Sequence, residues 1–488
     1  MKKLEKITPW QEDFAKWYID VITQADLMSY APIKGTIYYR HHGFSIWDKI
    51  RQIVTYNLSF KNVKNVYLPS LIPQSFILRE KEHVEGFAPE LLTITHAGEK
   101  ELAEKIYIRP TSEVLFADFF KKEIDLNNKL PLIYAQWTSV VRWEKTTNPF
   151  LRNTEFLWQE GHTAFANAYE AKQNAIEMID FYHHFLKEYL AIPTILGEKT
   201  PRERFAGAEQ TYTVEAMMLN GRALQSGTSH YLGQNFSKSF DITFKNIENQ
   251  LENVYQSSWG ISTRLLGAIV MSHSDDRGLV LPPKIAPNQI DILVFYGNKN
   301  PELKEVAKNL AQILKNNKIT VNINDDDNQQ VGFKIADSEV HGTPIRIEIG
   351  PRDYANNLIT IVRRDTLEKQ QFKLEESKWE EEFVNHINDL LTKIQDNLLS
   401  QAQLRLKNNF VYTNNFEEFT QHTKINKFVV VPFEEDSTVE QQIQEVTGAT
   451  ARCIINVDSF NYLNIPDQDN SLFSKKPTKR FVLFAKAY

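Results

Sequence analysis

Short segments with apolar residues at every second position recur through the first half of the chain. This period is that of a half-buried β-strand, whereas apolar residues spaced three and four apart indicate an amphipathic helix. The strand pattern covers residues 36–40, 91–95, 105–109, 132–144 and 156–166. The helical pattern covers residues 47–61, 112–124, 168–190 and 261–271. Because the strands cluster without regular alternation with helices, the pattern favours a mostly antiparallel sheet flanked by helices.

The pattern changes after a linker that contains Pro282, Pro283 and Pro287, since prolines discourage both helix and strand pairing. A small α/β domain is then predicted from strands at 290–296, 320–324, 344–349 and 358–363 and helices at 301–316 and 331–340. A long polar helix at 377–406 follows, and a strand at 427–432, a helix at 437–446 and a strand at 480–485 complete the pattern. We therefore predict an α+β protein of three domains, at residues 1–283, 284–400 and 401–488.

Composition narrows the class of protein. With 488 residues, 42% of them hydrophobic, the chain can bury more than one core. A net charge of −6 argues against non-specific coating of nucleic acid, so we expect no DNA partner, while a selective RNA contact stays open. The single cysteine, Cys453, allows neither an intrachain disulfide nor a multi-cysteine zinc site. The longest apolar runs, such as 265–271, are too short for a membrane span, so we expect a soluble cytoplasmic protein without membrane contact.

A nucleotide site of the P-loop type is not expected, because the chain has no Gly-x-x-x-x-Gly-Lys-Ser/Thr motif. Arg142 and Glu144 lie two residues apart at the end of a predicted strand, so they should point to the same face. A guanidinium can hold phosphate oxygens, and a carboxylate can bind a metal or the amine of adenine. A surface salt bridge is the alternative interpretation of this pair.

The sequence around this pair resembles a signature motif of class II prolyl-tRNA synthetases. The resemblance rests on the strings RWE at 142–144, PFLR at 149–152 and EFLWQEGH at 155–162, together with RPTSE at 109–113, GRALQSGTSH at 221–230 and SWGISTR at 258–264. The string VYLP at 66–69 resembles the end of the first class II motif. The resemblance extends over nearly the whole chain and implies an antiparallel-sheet catalytic domain at 1–283. It also implies a homodimer, because the first motif forms the subunit interface in that class.

The resemblance implies an ATP site with catalytic residues Arg142, Glu144, Gln225 and Arg264. Arg142 should hold the α-phosphate, and Arg152 and Asn153 should line the phosphates and the base. Phe156 should stack on adenine, with Arg264 on its other side. Glu144 and Gln225 are candidates for holding Mg²⁺ or the adenine amine, with Thr228 nearby.

The family likewise implies a site for L-proline. Its residues are Thr111, Ser112, Glu113, Arg142, Trp158, Glu160, His162 and His230. Proline offers a secondary ammonium, a carboxylate and an apolar ring, which suit Glu113, Arg142 and Trp158 respectively. The alternative for Trp158 is an ordinary core tryptophan, and for the two histidines it is a hydrogen-bonded position in the core.

The second domain resembles the anticodon-binding domain of class II synthetases through GFK at 332–334 and HGTPIRIEIGPRD at 341–353. Lys334, Arg346, Glu348 and Arg364 are the candidates for contact with the anticodon of tRNA(Pro), and an exposed ladder of ion pairs is the alternative. The third domain resembles the C-terminal extension of the archaeal and eukaryote-like branch. Many relatives bind zinc there through several cysteines, but only Cys453 is present here, so we expect no zinc site.

The stretch between Glu144 and Arg264 is too short for the editing insertion of some bacterial relatives, so we expect none. Three other classes of protein are less consistent with the sequence. A threonine-specific synthetase needs a zinc-binding cysteine that the catalytic region lacks. A non-catalytic paralogue should have lost Arg142, Gln225 or Arg264. An ATP-dependent ligase that does not use tRNA would not need an anticodon-like domain.

Overall fold

The largest sheet of the protein has eleven strands. The structure is a computed structural model that describes residues 6–79, 91–374 and 378–488. In the first part of the chain the strands are β1 Met28–Tyr30, β2 Ile37–Tyr39, β3 Lys64–Asn65, β4 Leu71–Pro73, β5 Thr93–Ala97, β6 Lys100–Ile108, β7 Leu132–Val141, β8 Glu155–Phe165, β9 Thr194–Glu198, β10 Gln210–Met217, β11 Ala223–Gly233, β12 Thr243–Lys245, β13 Leu251–Asn253 and β14 Tyr255–Ser262. The α-helices of this part are Phe14–Gln24, His41–Ser59, Gln74–Ile77, Glu113–Asn127, Ala168–Tyr189, Asn235–Ser239 and Arg264–His273.

The centre of this sheet has the order β9-β10-β11-β14-β8-β7, and every neighbouring pair in it is antiparallel. Strand β3 extends it by a short parallel pairing with β7. The helix Ala168–Tyr189 packs on one face and buries apolar residues such as Met178 and Phe185 in the core. The opposite face of the sheet is rich in polar side chains, and the cavity described below opens there. The predicted antiparallel sheet flanked by helices is confirmed.

The middle part of the chain is a separate α/β layer with its own core. Its strands are β15 Ile290–Val294, β16 Val321–Asn324, β17 Ile345–Ile349, β18 Leu358–Arg363 and β19 Lys369–Lys373, in the order β16-β15-β17-β18-β19. Its helices are Glu302–Asn316, Val331–His341 and Pro351–Tyr354, followed by the long helix Trp379–Asn409. That long helix was predicted to begin at residue 377, which lies outside the described residues. Its first half packs on the middle core through Phe383, Ile387 and Leu391.

The last part of the chain joins the central sheet. Its strands are β20 Phe410–Tyr412, β21 Phe428–Pro432, β22 Thr450–Ile455, β23 Asp469–Asn470, β24 Pro477–Thr478 and β25 Phe481–Ala485, and its helices are Phe416–Lys424 and Ser437–Thr447. Strand β22 pairs with β9 through Ile454 and Glu198, so one continuous sheet runs from the C-terminal part into the catalytic part. Tyr488 also reaches back, because its hydroxyl accepts a hydrogen bond from Asn220 Nδ2 at 2.8 Å.

The hydrophobic pattern missed β9, β10, β11 and β14, which are four of the eleven strands of this sheet. These strands are buried on both faces, and their cavity side carries polar residues such as Thr211 and Ser258, so apolar residues do not alternate along them. The pattern also extended the helix at 261–271 too far back. Ile261 is still in β14, and the helix begins at Arg264.

Candidate active site

A cavity of about 250 Å³ opens on the polar face of the central sheet. Residues from β8, β11 and β14, from the loop before the helix Glu113–Asn127 and from the start of the helix Arg264–His273 line it. Eleven of the residues chosen from the sequence lie on its wall: Thr111, Glu113, Arg142, Phe156, Trp158, Glu160, His162, Gln225, Thr228, His230 and Arg264. Segments far apart in the chain therefore converge on one space.

Strand β8 supplies four of these side chains at alternate positions. Phe156, Trp158, Glu160 and His162 face the cavity because side chains two residues apart on a strand point to the same side. Gly161, between the last two, lies against Trp259 of β14, where an added Cβ would come within 2.1 Å of the indole Cε2. The strand can therefore pack closely against β14 while it presents its polar row to the cavity.

Arg142 lies just beyond the end of β7, over the aromatic part of that row. Its guanidinium carbon is 5.5 Å from the centre of the Phe156 ring and 5.6 Å from that of Trp158, and its Nε donates to the Pro110 carbonyl at 3.1 Å. The strand was predicted to continue to Glu144, but it ends at Val141. The Glu144 amide donates to the Arg142 carbonyl at 2.8 Å, so the chain turns there and the argument that both side chains share one strand face was wrong.

Arg264 occupies the opposite wall as the first residue of its helix. Its Nε donates to the Leu151 carbonyl at 3.1 Å, and its Nη1 donates to the Gln225 carbonyl at 3.3 Å. Burial, with further repulsion from Arg152 and Arg142, lowers the pKa of Arg264 to about 10. A guanidinium in this position is desolvated and close to other cations, which are conditions that favour binding of an anion.

Glu113 begins its helix and reaches the cavity from below the row of β8. The Thr111 hydroxyl donates to Glu113 Oε2, and the Ser258 hydroxyl donates to Oε1 at 3.4 Å. Arg109 fixes this loop, because its guanidinium donates to the carbonyls of Leu68 at 2.7 Å and Ser139 at 3.0 Å. Arg109 is itself buried, so it stabilises the loop and is not part of the cavity wall.

Glu160 and His162 form a buried polar pair beside Glu113. His162 Nε2 lies 2.9 Å from Glu160 Oε2, and the Ser112 hydroxyl and Gln136 Nε2 donate to Oε1 at 2.5 and 2.7 Å. Burial alone would raise the pKa of the Glu160 carboxyl, but the hydrogen bonds from these partners outweigh it and lower that pKa. The carboxylate is therefore held in its charged form. Ser112 supports this pair from behind and does not line the cavity.

His230 of β11 completes the wall. Its ring stacks on Phe205 with centres 4.5 Å apart, and its Nδ1 lies 3.0 Å from the Thr211 hydroxyl. Burial, together with repulsion from His162 and Arg142, lowers the pKa of His230 to about 3, so this ring is neutral at physiological pH. A neutral imidazole can accept or donate one hydrogen bond toward a substrate.

Three residues predicted for the ATP site lie beside the cavity and not on its wall. Glu144 and Arg152 face each other in an ion pair of 3.4 Å, partly exposed to solvent. Asn153 is buried, and its Nδ2 donates to the Gly35 carbonyl at 3.3 Å.

Among the described residues, no three His, Cys, Asp or Glu side chains come together in an arrangement that could hold a metal ion. Cys453 is buried.

The sequence motifs did not single out several residues of the cavity wall. These are Lys199, Glu203, Phe205 and Thr211. One signal was available, because Thr211, Thr213 and Glu215 place three polar residues at alternate positions of a segment that is otherwise apolar. Such a row on a buried strand indicates a polar face that packs on something other than core.

The four anticodon candidates lie in the middle layer and have partners within the protein. Lys334 is buried, and its ammonium donates to the carbonyls of Val294 at 2.8 Å and Asn324 at 3.3 Å. The other three form ion pairs: Arg346 with Glu348 at 2.9 Å and with Glu339 at 3.1 Å, and Arg364 with Asp275 at 2.7 Å. Their ladder is buried and not exposed, and Arg364 ties the middle layer to the catalytic part.

Comparison with known proteins identifies the class of this fold and site. The model of the class II core domain of tRNA synthetases for G, H, P, S and T matches residues 96–273, and an anticodon-binding domain model matches 291–379. The model of the C-terminal domain of prolyl-tRNA synthetase matches residues 416–488. The fold is therefore that of a class II aminoacyl-tRNA synthetase.

Individual relatives define the family more closely. The proline–tRNA ligase of Mesomycoplasma hyopneumoniae strain 7448 is 58% identical over 488 residues, which is 100% of both chains. Those of Mycoplasmopsis pulmonis and Mycoplasma mobile are 52% and 51% identical, again over 100% of both chains. The chain belongs to the proline–tRNA ligase family. It uses ATP to convert L-proline to prolyl-adenylate with release of pyrophosphate, and then transfers proline to the 3′ end of tRNA(Pro).

Proposed function

We propose that the cavity binds ATP and proline side by side, with Arg142 between them. The observation that carries this proposal is the convergence of Arg142 and Arg264 on one cavity that also contains Phe156 and Glu113. Two guanidiniums suit a polyphosphate, and an adjacent carboxylate suits an ammonium. No side-chain nucleophile is required, since the carboxylate of proline attacks the α-phosphorus directly.

On the ATP side, we assign adenine to the space between the Phe156 ring and the Arg264 guanidinium. Stacking against each partner is worth on the order of 1 kcal/mol. The guanidinium of Arg142 covers one face of the Phe156 ring, which leaves the α-phosphate within reach of the same arginine. Arg152 and Asn153 lie at the margin, where the outer phosphates would extend, and Thr228 lies on the wall nearby.

On the proline side, Glu113 accepts hydrogen bonds from the ammonium, and Trp158 packs against the pyrrolidine ring. Thr111 orients Glu113, whereas Ser112 and His162 hold Glu160 in its charged form. His230 contributes a neutral ring on the side of Phe205. Catalysis then follows from positioning and from compensation of the charge that develops on the phosphate.

Mg²⁺ is expected to enter with ATP, as it does generally in class II synthetases. The Glu144 carboxylate and the Gln225 side-chain amide oxygen are ligand types that Mg²⁺ prefers. Gln225 lies on the wall, and Glu144 lies beside Arg152 at the margin where the phosphates would extend. When bound there, Mg²⁺ would neutralise charge on the phosphates.

The test of this assignment is amino-acid-dependent ATP–pyrophosphate exchange with each of the twenty amino acids, followed by charging of bulk tRNA. We expect proline to give the highest rate. Alanine should give a low but measurable rate, because a pocket discriminates against a smaller side chain by only about 1 to 3 kcal/mol per methylene. Exchange that is faster with another amino acid than with proline would refute the assignment.

We propose that the middle domain binds the anticodon and that Arg346 supports this contact by fixing Glu339 and Glu348. Arg346→Ala should lower kcat/KM for charging tRNA by about 10-fold, because the buried Glu348 and the partly buried Glu339 lose their shared cation. Pyrophosphate exchange should be unchanged, since the domain has its own core. Lys308→Ala, which removes an exposed ion pair with Glu305, is the matched control. Equal loss of both activities in Arg346→Ala would indicate a folding defect instead.

We propose a homodimer. Large apolar side chains are exposed on the helix His41–Ser59 and on the segment after it, including Tyr56 (65%), Phe60 (70%) and Tyr67 (73%). The rings of Tyr56 and Phe60 are in contact, with centres 5.0 Å apart, and exposed apolar surface is typical of a subunit interface. Sedimentation at micromolar concentration should therefore give twice the mass of the chain, and Phe60→Lys should shift the protein toward monomer. A monomeric wild-type protein would contradict the proposal.

We propose that the chain belongs to the archaeal and eukaryote-like branch, without an editing insertion and without structural zinc. The chain carries the C-terminal domain of prolyl-tRNA synthetases at residues 416–488, and the proposed branch rests on the resemblance of this domain. Cys453 is buried, and burial raises the pKa of its thiol to about 12, so a thiolate ligand is disfavoured there. Metal analysis of the purified protein should find well under one zinc per chain. A stoichiometric amount would overturn this part of the proposal.

We also propose the domain limits 1–283, 284–400 and 401–488. The limit at 400 is supported by the long helix, whose residues up to Leu399 pack on the middle core while Leu406 packs on the C-terminal one. None of the helices in the described ranges 6–79, 91–374 and 378–488 is both long and apolar enough to cross a membrane. We assign the protein to the cytoplasm because its substrates ATP, proline and tRNA(Pro) are used there in translation.

A further inference from the structure

Three charged side chains form a buried ion-pair network beside the cavity. Lys199 Nζ lies 2.9 Å from Glu215 Oε1, and the Nε and Nη2 of Arg452 lie 3.0 and 2.9 Å from Glu215 Oε2. All three residues are buried. Lys199 and Glu215 belong to the catalytic part, whereas Arg452 is in β22 of the C-terminal domain. The ion-pair network therefore connects two domains.

The register of the sheet places this ion-pair network against the proposed ATP side of the cavity. Lys199 follows the last residue of β9 and lies on the cavity wall. Glu215 on β10 is the cross-strand partner of Gln225 on β11, another wall residue. Arg452 reaches Glu215 because β22 pairs directly with β9, two residues further on. Without that pairing the catalytic sheet would have no arginine at this position.

The charges of Lys199, Glu215 and Arg452 do not cancel among themselves. The Glu215 carboxylate faces two cations, while Glu203 on the cavity wall also attracts Arg452. Burial lowers the pKa of the Lys199 ammonium, so a further anion beside Lys199 would stabilise its charged form. Burial by itself would raise the pKa of Glu215, but Arg452 and Lys199 outweigh it and hold that pKa at about 2, so the carboxylate is ionised.

Lys199 also has hydrogen-bonding capacity to spare. A lysine ammonium carries three N–H donors. Within the part of the chain that the structure describes, Glu215 Oε1 is its one side-chain acceptor. Two donors and a surplus positive charge thus remain at the wall of a cavity that takes ATP and the carboxylate of proline.

We propose that Lys199 binds an anionic oxygen of the substrates and that Arg452, acting through Glu215, is a positioning residue for it. The anionic oxygen belongs either to a phosphate of ATP or to the carboxylate of proline. In this arrangement the C-terminal domain takes part in amino-acid activation, although it is remote from the catalytic motifs in sequence. The inference rests on the proposed assignment of the cavity to ATP and proline, which the wild-type exchange assay tests separately.

The experiment is a double-mutant cycle in the full-length protein, with Lys199→Met, Arg452→Gln and the double variant. Each is assayed by proline-dependent pyrophosphate exchange with ATP and proline varied in turn. Lys199→Met should lower kcat/KM on the order of 10- to 100-fold, the usual effect of losing a hydrogen bond to a charged group. A rise in KM for ATP identifies a phosphate as the ligand, and a rise in KM for proline identifies the carboxylate.

Arg452→Gln should lower kcat/KM about 10-fold in the wild-type background and by less than about threefold in the Lys199→Met background, because the two residues act in series. Equal factors in both backgrounds would overturn the proposal, as would a folded Arg452→Gln variant with wild-type kinetics. Arg480→Gln, which removes an exposed arginine paired with Glu435 in the same domain, is the control and should be unchanged.

Folding is controlled separately, because Arg452→Gln leaves a buried carboxylate with one cation instead of two. Thermal unfolding of each variant is recorded, and the kinetics are measured well below the lowest midpoint. If Arg452→Gln does not fold, Arg452→Lys takes its place in the cycle. Lysine keeps the charge but cannot place two N–H groups on Glu215 Oε2, so a fall of severalfold that vanishes in the Lys199→Met background is expected. No fall at all would refute the positioning role.

Discussion

Replacement of Arg142 by alanine should lower kcat for proline-dependent pyrophosphate exchange on the order of 10³-fold, the effect of removing one charge-stabilising donor from a preorganised site. Arg142 is the one cation that the proposed geometry places against both substrates, beside the aromatic pair of Phe156 and Trp158. Its contribution should grow as charge develops on the α-phosphate, so kcat should fall more than KM rises. The assay is exchange under saturating ATP and proline.

Two further variants separate this effect from a folding defect. Arg142→Lys keeps the positive charge but loses the fork and the hydrogen bond to the Pro110 carbonyl, so an intermediate loss is expected. Arg277→Ala removes an exposed arginine that pairs with Glu339 outside the cavity, and it should behave like the wild type. Near-normal exchange in Arg142→Ala would refute the assignment of the site.

Replacement of Glu113 by glutamine should lower kcat/KM for proline by about 100-fold, mainly through KM. Glutamine has almost the same shape, but it loses the negative charge that faces the proline ammonium, and a hydrogen bond between charged groups is worth about 1.5 to 3 kcal/mol. KM for ATP should change little, because Glu113 lies on the proline side with Thr111 and Ser258. Exchange with proline and ATP varied separately measures both values.

The matched control for Glu113 lies on the same helix. Asp118→Asn removes a carboxylate from a surface ion pair with Lys122 at 2.7 Å, so it changes the helix charge equally without touching the cavity. It should leave both KM values unchanged, because surface ion pairs contribute little to stability or to a remote site. A rise in KM for ATP equal to that for proline in Glu113→Gln would contradict the division of the cavity into two sides.

The continuous sheet changes how the C-terminal domain is understood. It is not an appendage attached by a linker, because β22 hydrogen-bonds to β9 and Tyr488 contacts the catalytic part through Asn220. Variants in this domain should therefore be tested for amino-acid activation as well as for tRNA charging. Arg452 is the position at which the two effects should be easiest to separate.

Much of the site could be predicted from local sequence. Phe156, Trp158, Glu160 and His162 lie on one strand at a spacing of two, and the geometry of a strand then places them on one face whatever surrounds it. The motif strings singled out Arg142 and Arg264, and the structure brings both residues to one cavity, on opposite walls. The α+β class with three domains could likewise be predicted, because the spacing of apolar residues changes after the proline-containing linker.

Other features had no local signal. The turn after Val141 separates Glu144 from Arg142. The Glu144 amide donates to the Arg142 carbonyl there, while the Arg142 amide donates to the Thr154 carbonyl across the loop. The charges of the middle domain, chosen as candidates for contact with tRNA, have partners such as Glu339 and Asp275 that lie far away in sequence. A charged residue has the same identity whether it faces solvent or a buried partner, so sequence alone could not distinguish these cases.

The sequence by itself therefore determined the class of fold and the residues of the β8 row, because these depend on backbone periodicity and on residues close together in the chain. The chemistry of activation was implied by the resemblance of the motif strings to a known family. Only the tertiary structure decided that Lys199, Glu215 and Arg452 meet beside the cavity. Their meeting depends on which strands pair, and strand order is fixed by the packing of whole domains, which no short stretch of residues encodes.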